Sequence, residues 1–401
     1  MTHVVQTDAL VAEGILSPDQ GRIIARRSRQ VMVSLVINAV LCLGIVAAAI
    51  GFVLWLADAL AVAIVGGLFL VVGTVVLLKA ADVYRMFGNA AALIGAGMLA
   101  FGGMFELVDK LGEETGGLTL IVSGIAAFAF SVTMFLRAVP HARFLTGSLT
   151  VMAAAVHFGG IYIWGEAVGL TGLPVALVHG YVAAALIAVG MLVDVRLITA
   201  LAIVPFAQML ETGTFYWHAM YAFYSPESTL SILQMGLAMA VCVALASRLT
   251  DRTRRHTHMF GIMAFIVANL CFLVGSLWGD AVGEHIWGPG RSWDYDGDYT
   301  DWQAARDAFA ATALQIHEHV YSIVWAVLLA VAAFWSAQTG RRGIFNAAMT
   351  FAGIHAYTQA FETFYDEPLA YVIGGLAAIP LAWGLWRLND NFEQRSAIQS
   401  A

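Results

Sequence analysis

The sequence predicts an all-α, polytopic integral membrane protein of about twelve transmembrane helices, and three observations carry that prediction. Of 401 residues 60% are apolar and only 12% charged, whereas a water-soluble domain carries about a quarter charged residues. Apolar runs of about 20 residues recur, the length a helix needs to cross a bilayer that offers no partners to unpaired backbone groups. Lys and Arg alternate with those runs as the positive-inside rule requires. A soluble enzyme, a nucleic-acid binder and a disordered chain are all poor fits to this composition.

The expected spans are 31–56, 60–78, 87–107, 116–136, 144–164, 173–193, 197–215, 229–246, 258–279, 309–336, 343–363 and 368–387. They make a bundle over 31–388, preceded by a cytoplasmic helical hairpin at 1–30 and followed by a cytoplasmic tail at 389–401. With the N-terminus inside, the inner segments hold all but three of the 20 Lys and Arg residues. The three outside, Lys110, Arg291 and Arg306, lie among acids such as Asp109, Glu113, Glu114 and Asp301. A wrong helix count would scramble this alternation, so the expectation is a bacterial inner-membrane protein with both termini in the cytoplasm. The polar 197–228 stretch and the Gly-rich second span fit the pattern least well.

Residues 1–30 do not form a secretory signal, because mixed charges and an Arg cluster precede the first apolar run. Asp8 to Glu13 can form a short helix ended by Gly14, and Ser17-Pro18-Asp19-Gln20 is a capping box with Pro in the first turn. The second helix carries Arg22, Arg26 and Arg29 toward the membrane surface, where they suit anionic lipid. Cys42, Cys242 and Cys271 stand singly inside apolar runs, which argues against a disulfide framework or a thiolate metal site.

The run from Leu10 through Gly14-Ile15 to Ser17-Pro18-Asp19-Gln20, followed by an apolar segment with Gly44, Gly51 and Trp55, resembles the opening of the bacterial membrane proteins called domain of unknown function twenty-one fifty-seven. That resemblance covers about the first quarter of the chain and implies a membrane architecture without an assigned activity. It departs after Trp55, where Leu56-Ala57-Asp58 replaces a more polar segment. A faint internal echo also appears: Asn89-Ala90-Ala91 before Phe105-Glu106, and Asn346-Ala347-Ala348 before Phe361-Glu362. Repeats of this kind occur in transporters.

Ionisable groups inside a bilayer are costly unless they face protein or water, so their positions carry information. On the expected topology His157, His179, Glu211, His218, His317, Glu318, His319, His355 and Glu362 all fall on the periplasmic side, whereas His141, His256 and His258 belong to inner basic loops. In the eleventh span His355, Gln359, Glu362 and Asp366 form one helical stripe, and in the tenth Thr312, Gln315, His319 and Ser322 form another. The tight turn near Gln338 makes the two spans antiparallel neighbours, so both stripes can line one outward-facing pocket. His317, about 200° around a helix from His319, would point elsewhere.

Two readings of this pocket stand side by side. In one the polar groups bond to one another as interhelical glue, at about 0.6 kcal/mol per bond. In the other Glu362 is a carboxylate handling protons or a cation, with His355 and His319 as titrating partners. The corresponding function is transport or sensing of a small solute or cation. The alternatives are a scaffold for another membrane or envelope complex, or a His-ligated metal or haem protein pairing His157 or His179 with His355.

Other motifs fail on their spacing. His317-Glu318-His319-Val320-Tyr321 has Tyr where a zinc-protease helix needs its second His. No Glu-x-x-His pair, phosphate-binding Gly loop or nucleophile elbow occurs, and no cofactor is expected. In the outer loop 280–308, Asp294, Asp296 and Asp298 could offer oxygens to Ca²⁺, but the Gly and the bidentate Glu of an EF-hand are misplaced. The loop's aromatics, Trp287, Trp293, Tyr295, Tyr299 and Trp302, suit a cap resting on the interface, as do Tyr216, Trp217, Tyr221 and Tyr224. The expected partners are the lipid bilayer, anionic lipid at inner basic loops such as Arg248 to His258, and a second membrane protein, with no nucleic acid.

Overall fold

The structure is a computed structural model that describes residues 10–11, 13–80, 84–210, 215–217, 221–224, 227–290 and 296–364, with scattered residues between 368 and 387. Two compact units divide the chain, Met1–Leu170 and Thr171–Ala401.

The first unit is a series of long helices. α1 (Pro18–Leu56) starts from the expected capping box, in which the Ser17 hydroxyl accepts from Gln20 N–H and the Gln20 side chain returns to Ser17 N–H. No further proline follows Pro18 within α1, so the second limb of the hairpin runs on into the first span without stopping near residue 30. Ala57 ends α1 in the left-handed conformation, and the Asp58 carboxylate caps α2 (Ala59–Lys79) by accepting from Ala61 N–H at 2.7 Å. α3 (Arg85–Leu111), α4 (Glu113–Arg137) and α5 (Arg143–Ala167) follow.

Glycines set how closely these helices pack. Gly66 and Gly73 on α2 face Gly88, Gly95 and Gly102 on α3, each series spaced by seven residues, so one seam runs along both helices. A Cβ at Gly73 would lie 2.3 Å from Ala92 N, and one at Gly95 would lie 2.3 Å from Leu70 N. α4 and α5 repeat the device, with Gly124 against the His157 backbone and Gly160 against Ile121. Lipid supplies no hydrophobic drive between helices, so this close backbone approach is what holds them together. Gly159-Gly160 leaves α5 unbroken.

The second unit is less regular. After α6 (Leu173–Val193), the expected seventh span resolves into α7 (Arg196–Leu201) and α8 (Ile203–Gln208), and then a ribbon of β1 (Phe215–Trp217) against β2 (Tyr221–Tyr224). Pro205 has no N–H to donate back to Leu201, so the α7 ladder cannot continue through it, and it sits instead in the first turn of α8, where that N–H is not needed. The aromatic run beyond suits a strand. α9 (Ser228–Ala246) and α10 (Asp251–Trp278) come next, then β3 (Asp280–Ala281), α11 (Glu284–Trp287) and α12 (Tyr299–Ala310). β4 (Gln315–Ile316) pairs antiparallel with β3, followed by α13 (Glu318–Gln338) and α14 (Arg342–Phe364). The tenth span therefore starts at Glu318 and not near 309, and the outer loop contains helices.

α10 is the central helix of this unit, packing on α9, α13 and α14. One core cluster joins Ala202 and Ile203 to Met235 and Ala264; another joins Phe272, Tyr321, Trp325, Leu329 and Phe351. Among the described residues, eight helices are long and apolar enough to cross a membrane: α2 to α6, α9, α10 and α13. The segment 368–387, expected as the last span, lies largely outside the described residues, as do the tail at 389–401 and the first nine residues.

Candidate functional site

The polar residues of unit 2 collect at its two ends. At one end, Gly279, with φ +67°, stops α10, and the β3–β4 ribbon holds Asp280 beside the start of α9. There the Asp280 carboxylate accepts the Thr229 N–H at 2.8 Å, capping a helix to which it does not belong. The same oxygen accepts the Thr229 hydroxyl and, at 3.2 Å, the Tyr321 hydroxyl, and those two hydroxyls also touch each other. Tyr321 reaches the carboxylate from the first turn of α13 because Gly275 leaves room for its ring: a Cβ there would stand 2.6 Å from Cδ1.

Beside this knot Glu227 is fully buried, and its carboxylate accepts the Gly283 N–H at 2.8 Å. Gly283 has φ +83° and lies against the Trp287 ring, so no other residue fits there without strain. Asp280 makes no ion pair among the described residues.

A polar file leads from the knot into the unit. One turn beyond Tyr321, buried Trp325 donates its Nε1–H to Asn269 Oδ1 at 2.8 Å and stacks on Phe272. On its other side it meets the His355 ring edge-on, with centroids 4.8 Å apart. His355 Nδ1 is buried with no hydrogen-bond partner. From Asp280 to the level of Asn269 the file spans about 16 Å of helix rise.

The expected stripes are only partly realised. α13 and α14 are antiparallel neighbours joined by a tight turn at Gly340, as the sequence implied. His355 and Gln359 share one helix, and Glu362 lies on its backbone, but the Glu362 side chain and Asp366 fall outside the described residues, as do Glu211, His218 and Asp294. The second stripe fails. Thr312 and Gln315 precede α13, Gln315 donates to Ala310 O, His319 is exposed, and the buried face is Tyr321, Trp325 and Leu329. Because α13 starts at Glu318, His317 is its N-cap and is not displaced around a helix from His319. The two rings lie 4.8 Å apart.

With Glu318 these histidines offer three ligand atoms within 4.8 Å of one another, and tetrahedral Zn²⁺ needs them about 3.4 Å apart, which exposed side chains can reach. Asp298 caps α12, and the Thr300 hydroxyl and the Asp301 N–H hold its carboxyl below the usual range. Asp296 is exposed nearby. Glu284 pairs with Arg306, whose guanidinium lies over Trp302.

His157 belongs to unit 1. It is buried where α4 and α5 touch, with Nδ1 3.1 Å from Ile121 O, so it packs there as interhelical glue. His179 is half-buried on α6 in unit 2.

The opposite end of unit 2 holds a second cluster. His256, expected in a solvated basic loop, is fully buried on the second turn of α10. Its Nδ1 lies 2.7 Å from Thr199 Oγ1 and its Nε2 3.1 Å from Asp194 Oδ1. Arg252 and Arg255 flank Asp194, and Arg252 also donates to the Met191 and Leu192 carbonyls at the end of α6. The hydrogen bond from His256, then these arginines, hold the Asp194 carboxyl below its ordinary value.

Sequence reasoning missed Glu227, Asp280, Tyr321 and Asn269. The signals present were weak: an acid directly before a Ser-Thr helix start, an acid directly after a helix-ending Gly, and aromatics four apart on one span.

Together these features define the class: an all-α, multi-pass membrane protein with one closely packed unit and one unit bearing buried polar sites. Comparison with protein-family models, curated proteins and solved structures returned no match to this chain.

Proposed function

We propose that this protein transports or senses a small cation, the proton in the simplest case, through the acidic end of unit 2. The observation that carries the reading is the Asp280 knot. At one Asp280 oxygen the Thr229 hydroxyl, the Tyr321 hydroxyl and the Thr229 N–H all converge, so a carboxylate and two hydroxyl oxygens, the groups that bind or pass a small cation, meet at one point. Buried Glu227 adds a second acid at the same point, and Trp325, Asn269 and His355 extend the polar file inward.

Two further features support transport over glue. The seventh span is broken near Pro205, and transporters form their sites with discontinuous helices and irregular backbone beside a cavity. The far end of the unit is rich in arginine, including Arg196, Arg248, Arg252, Arg254, Arg341 and Arg342, so the positive-inside rule puts it in the cytoplasm and the acidic end in the periplasm. On this reading the chain is a bacterial inner-membrane protein of twelve spans with both termini inside. It contacts anionic lipid at its basic loops, and its opening segment resembles that of domain of unknown function twenty-one fifty-seven. The His317, Glu318 and His319 donors favour a second reading, in which the cation is a transition metal collected at the rim.

The test is proton uptake by reconstituted full-length protein under an imposed pH gradient and membrane potential. Flux in the wild type, lost in Asp280→Asn and reduced in Tyr321→Phe and His355→Ala while each variant keeps its melting temperature, is the expected result. Inhibition of that flux by micromolar Zn²⁺, relieved in His319→Ala, would point to the metal reading. No flux of protons or metal in the wild type, with all three variants less stable, would return the polar groups to glue and favour a scaffold for a membrane partner.

A further inference from the structure

The arginine end of unit 2 contains a cavity that the acidic-end reading does not use. It has a volume of about 510 Å³ and lies among α9, α10, α13 and the first turn of α14. That is within the range of small-molecule sites. Its interior is apolar, with Met239, Cys242, Ile262, Phe265, Ala332 and Ile344 on the walls. Its rim is cationic, formed by Arg341 and Arg342 with His258 alongside.

Both arginines are placed for an anion. Arg342 is the first residue of α14, where the unpaired N–H groups and the helix dipole already favour negative charge. Arg341 is held by stacking on Trp335, 4.7 Å from the ring centre. Among the described residues no carboxylate pairs with either. A chamber that is apolar inside and doubly cationic at its mouth complements a molecule with an anionic head and a hydrocarbon tail. For helices of membrane-spanning length, the surrounding bilayer supplies that molecule, and basic pockets between spans bind such headgroups.

We infer that this cavity is a specific site for one anionic diacyl phospholipid. Its phosphate lies between Arg341, Arg342 and the start of α14, and one acyl chain enters between Cys242 and Phe265. Guanidinium suits phosphate because its forked N–H groups match two oxygens at once. The site is independent of the acidic end, so either proposal can fail alone.

Native mass spectrometry of the delipidated full-length protein tests it, with dipalmitoyl phosphatidylglycerol, dipalmitoyl phosphatidylcholine and glycerol phosphate as probes. The expected result is one phosphatidylglycerol retained about tenfold more tightly than phosphatidylcholine. The preference should vanish in the Arg341→Gln/Arg342→Gln double variant, and retention itself should be lost in Ala332→Trp, which fills the chamber. Ala246→Trp at the rim provides the same test should Ala332→Trp fail to fold. Equal retention of the two lipids would overturn the proposal. So would retention unchanged by both Trp variants, which would mean an annular lipid, or displacement by glycerol phosphate alone, which would mean a site for free phosphate. Failure of any lipid to bind until residues 368–401 are removed would also overturn it, by making that segment the native occupant.

Discussion

The two units hold their helices together by opposite means. In unit 1, α2 lies on α3 and α4 on α5 so closely that backbone meets backbone at Gly73, Gly95, Gly124 and Gly160. In unit 2, side chains stand between the helices and hydrogen-bond across them: Asp280 to Thr229 and Tyr321, Trp325 to Asn269, His256 to Thr199 and Asp194. The difference has a functional consequence. Where backbones touch there is little space for a ligand or a proton path, and His157, buried at such a seam, lies against the Ile121 carbonyl. Where side chains hold helices apart, both the polar file and the apolar cavity become possible.

The comparison breaks most readily at a seam glycine. Gly95→Leu should destabilise the protein by about 3 kcal/mol or more, at the upper end of overpacking costs. Gly67→Leu, on the same hairpin but with nothing within 4 Å of a Cβ, should cost little. Unfolding in a detergent titration reads both, and similar losses would mean the seam is not what holds unit 1. In unit 2, Trp325→Phe keeps an aromatic ring but leaves Asn269 Oδ1 without its donor, which should cost about 1–3 kcal/mol in thermal unfolding. An unchanged melting temperature would mean that packing alone carries that contact.

Asp58→Ala removes the cap of α2 and should cost about 1 kcal/mol by the same measurement. The effect would be absent if the seam with α3 holds that end unaided. The smallest effect is expected at the arginine end of unit 2. Because the Asp194 carboxyl lies below its ordinary value of 3.8, its contribution is complete above that pH and is lost as pH falls through the depressed value. Asp194→Asn should therefore flatten the stability profile below about pH 4 and shift the neutral region only by a constant offset. A profile of unchanged shape would mean that His256 and the arginines are held without this carboxylate.

Much of unit 1 could be read along the chain. The Ser17 capping box formed as its spacing implied, and the apolar runs at 60–78 and 116–136 became α2 and α4 with small shifts at their ends. Even Asp58, which interrupts the family-like opening, has a local explanation as a helix cap. Unit 2 was harder to read. The first half of the seventh span and the start of the tenth have apolar or helix-compatible composition, yet Pro205 and the β3–β4 pairing interrupt them. The histidine stripe at 312–322 rested on an unbroken helix, and the helix starts at Glu318.

What the sequence determined by itself was what local free energy governs: the all-α, membrane-like character of the chain, most of its long apolar helices and the Ser17 cap. Apolar length and capping chemistry act within a few residues, so spacing encodes them. What only the tertiary structure decided was which polar groups meet. Asp280 joins Thr229 and Tyr321 across separations of 51 and 41 residues, and His256 reaches Thr199 across 57. Such contacts depend on helix crossings, and those depend on where glycines let backbones approach and where side chains keep them apart.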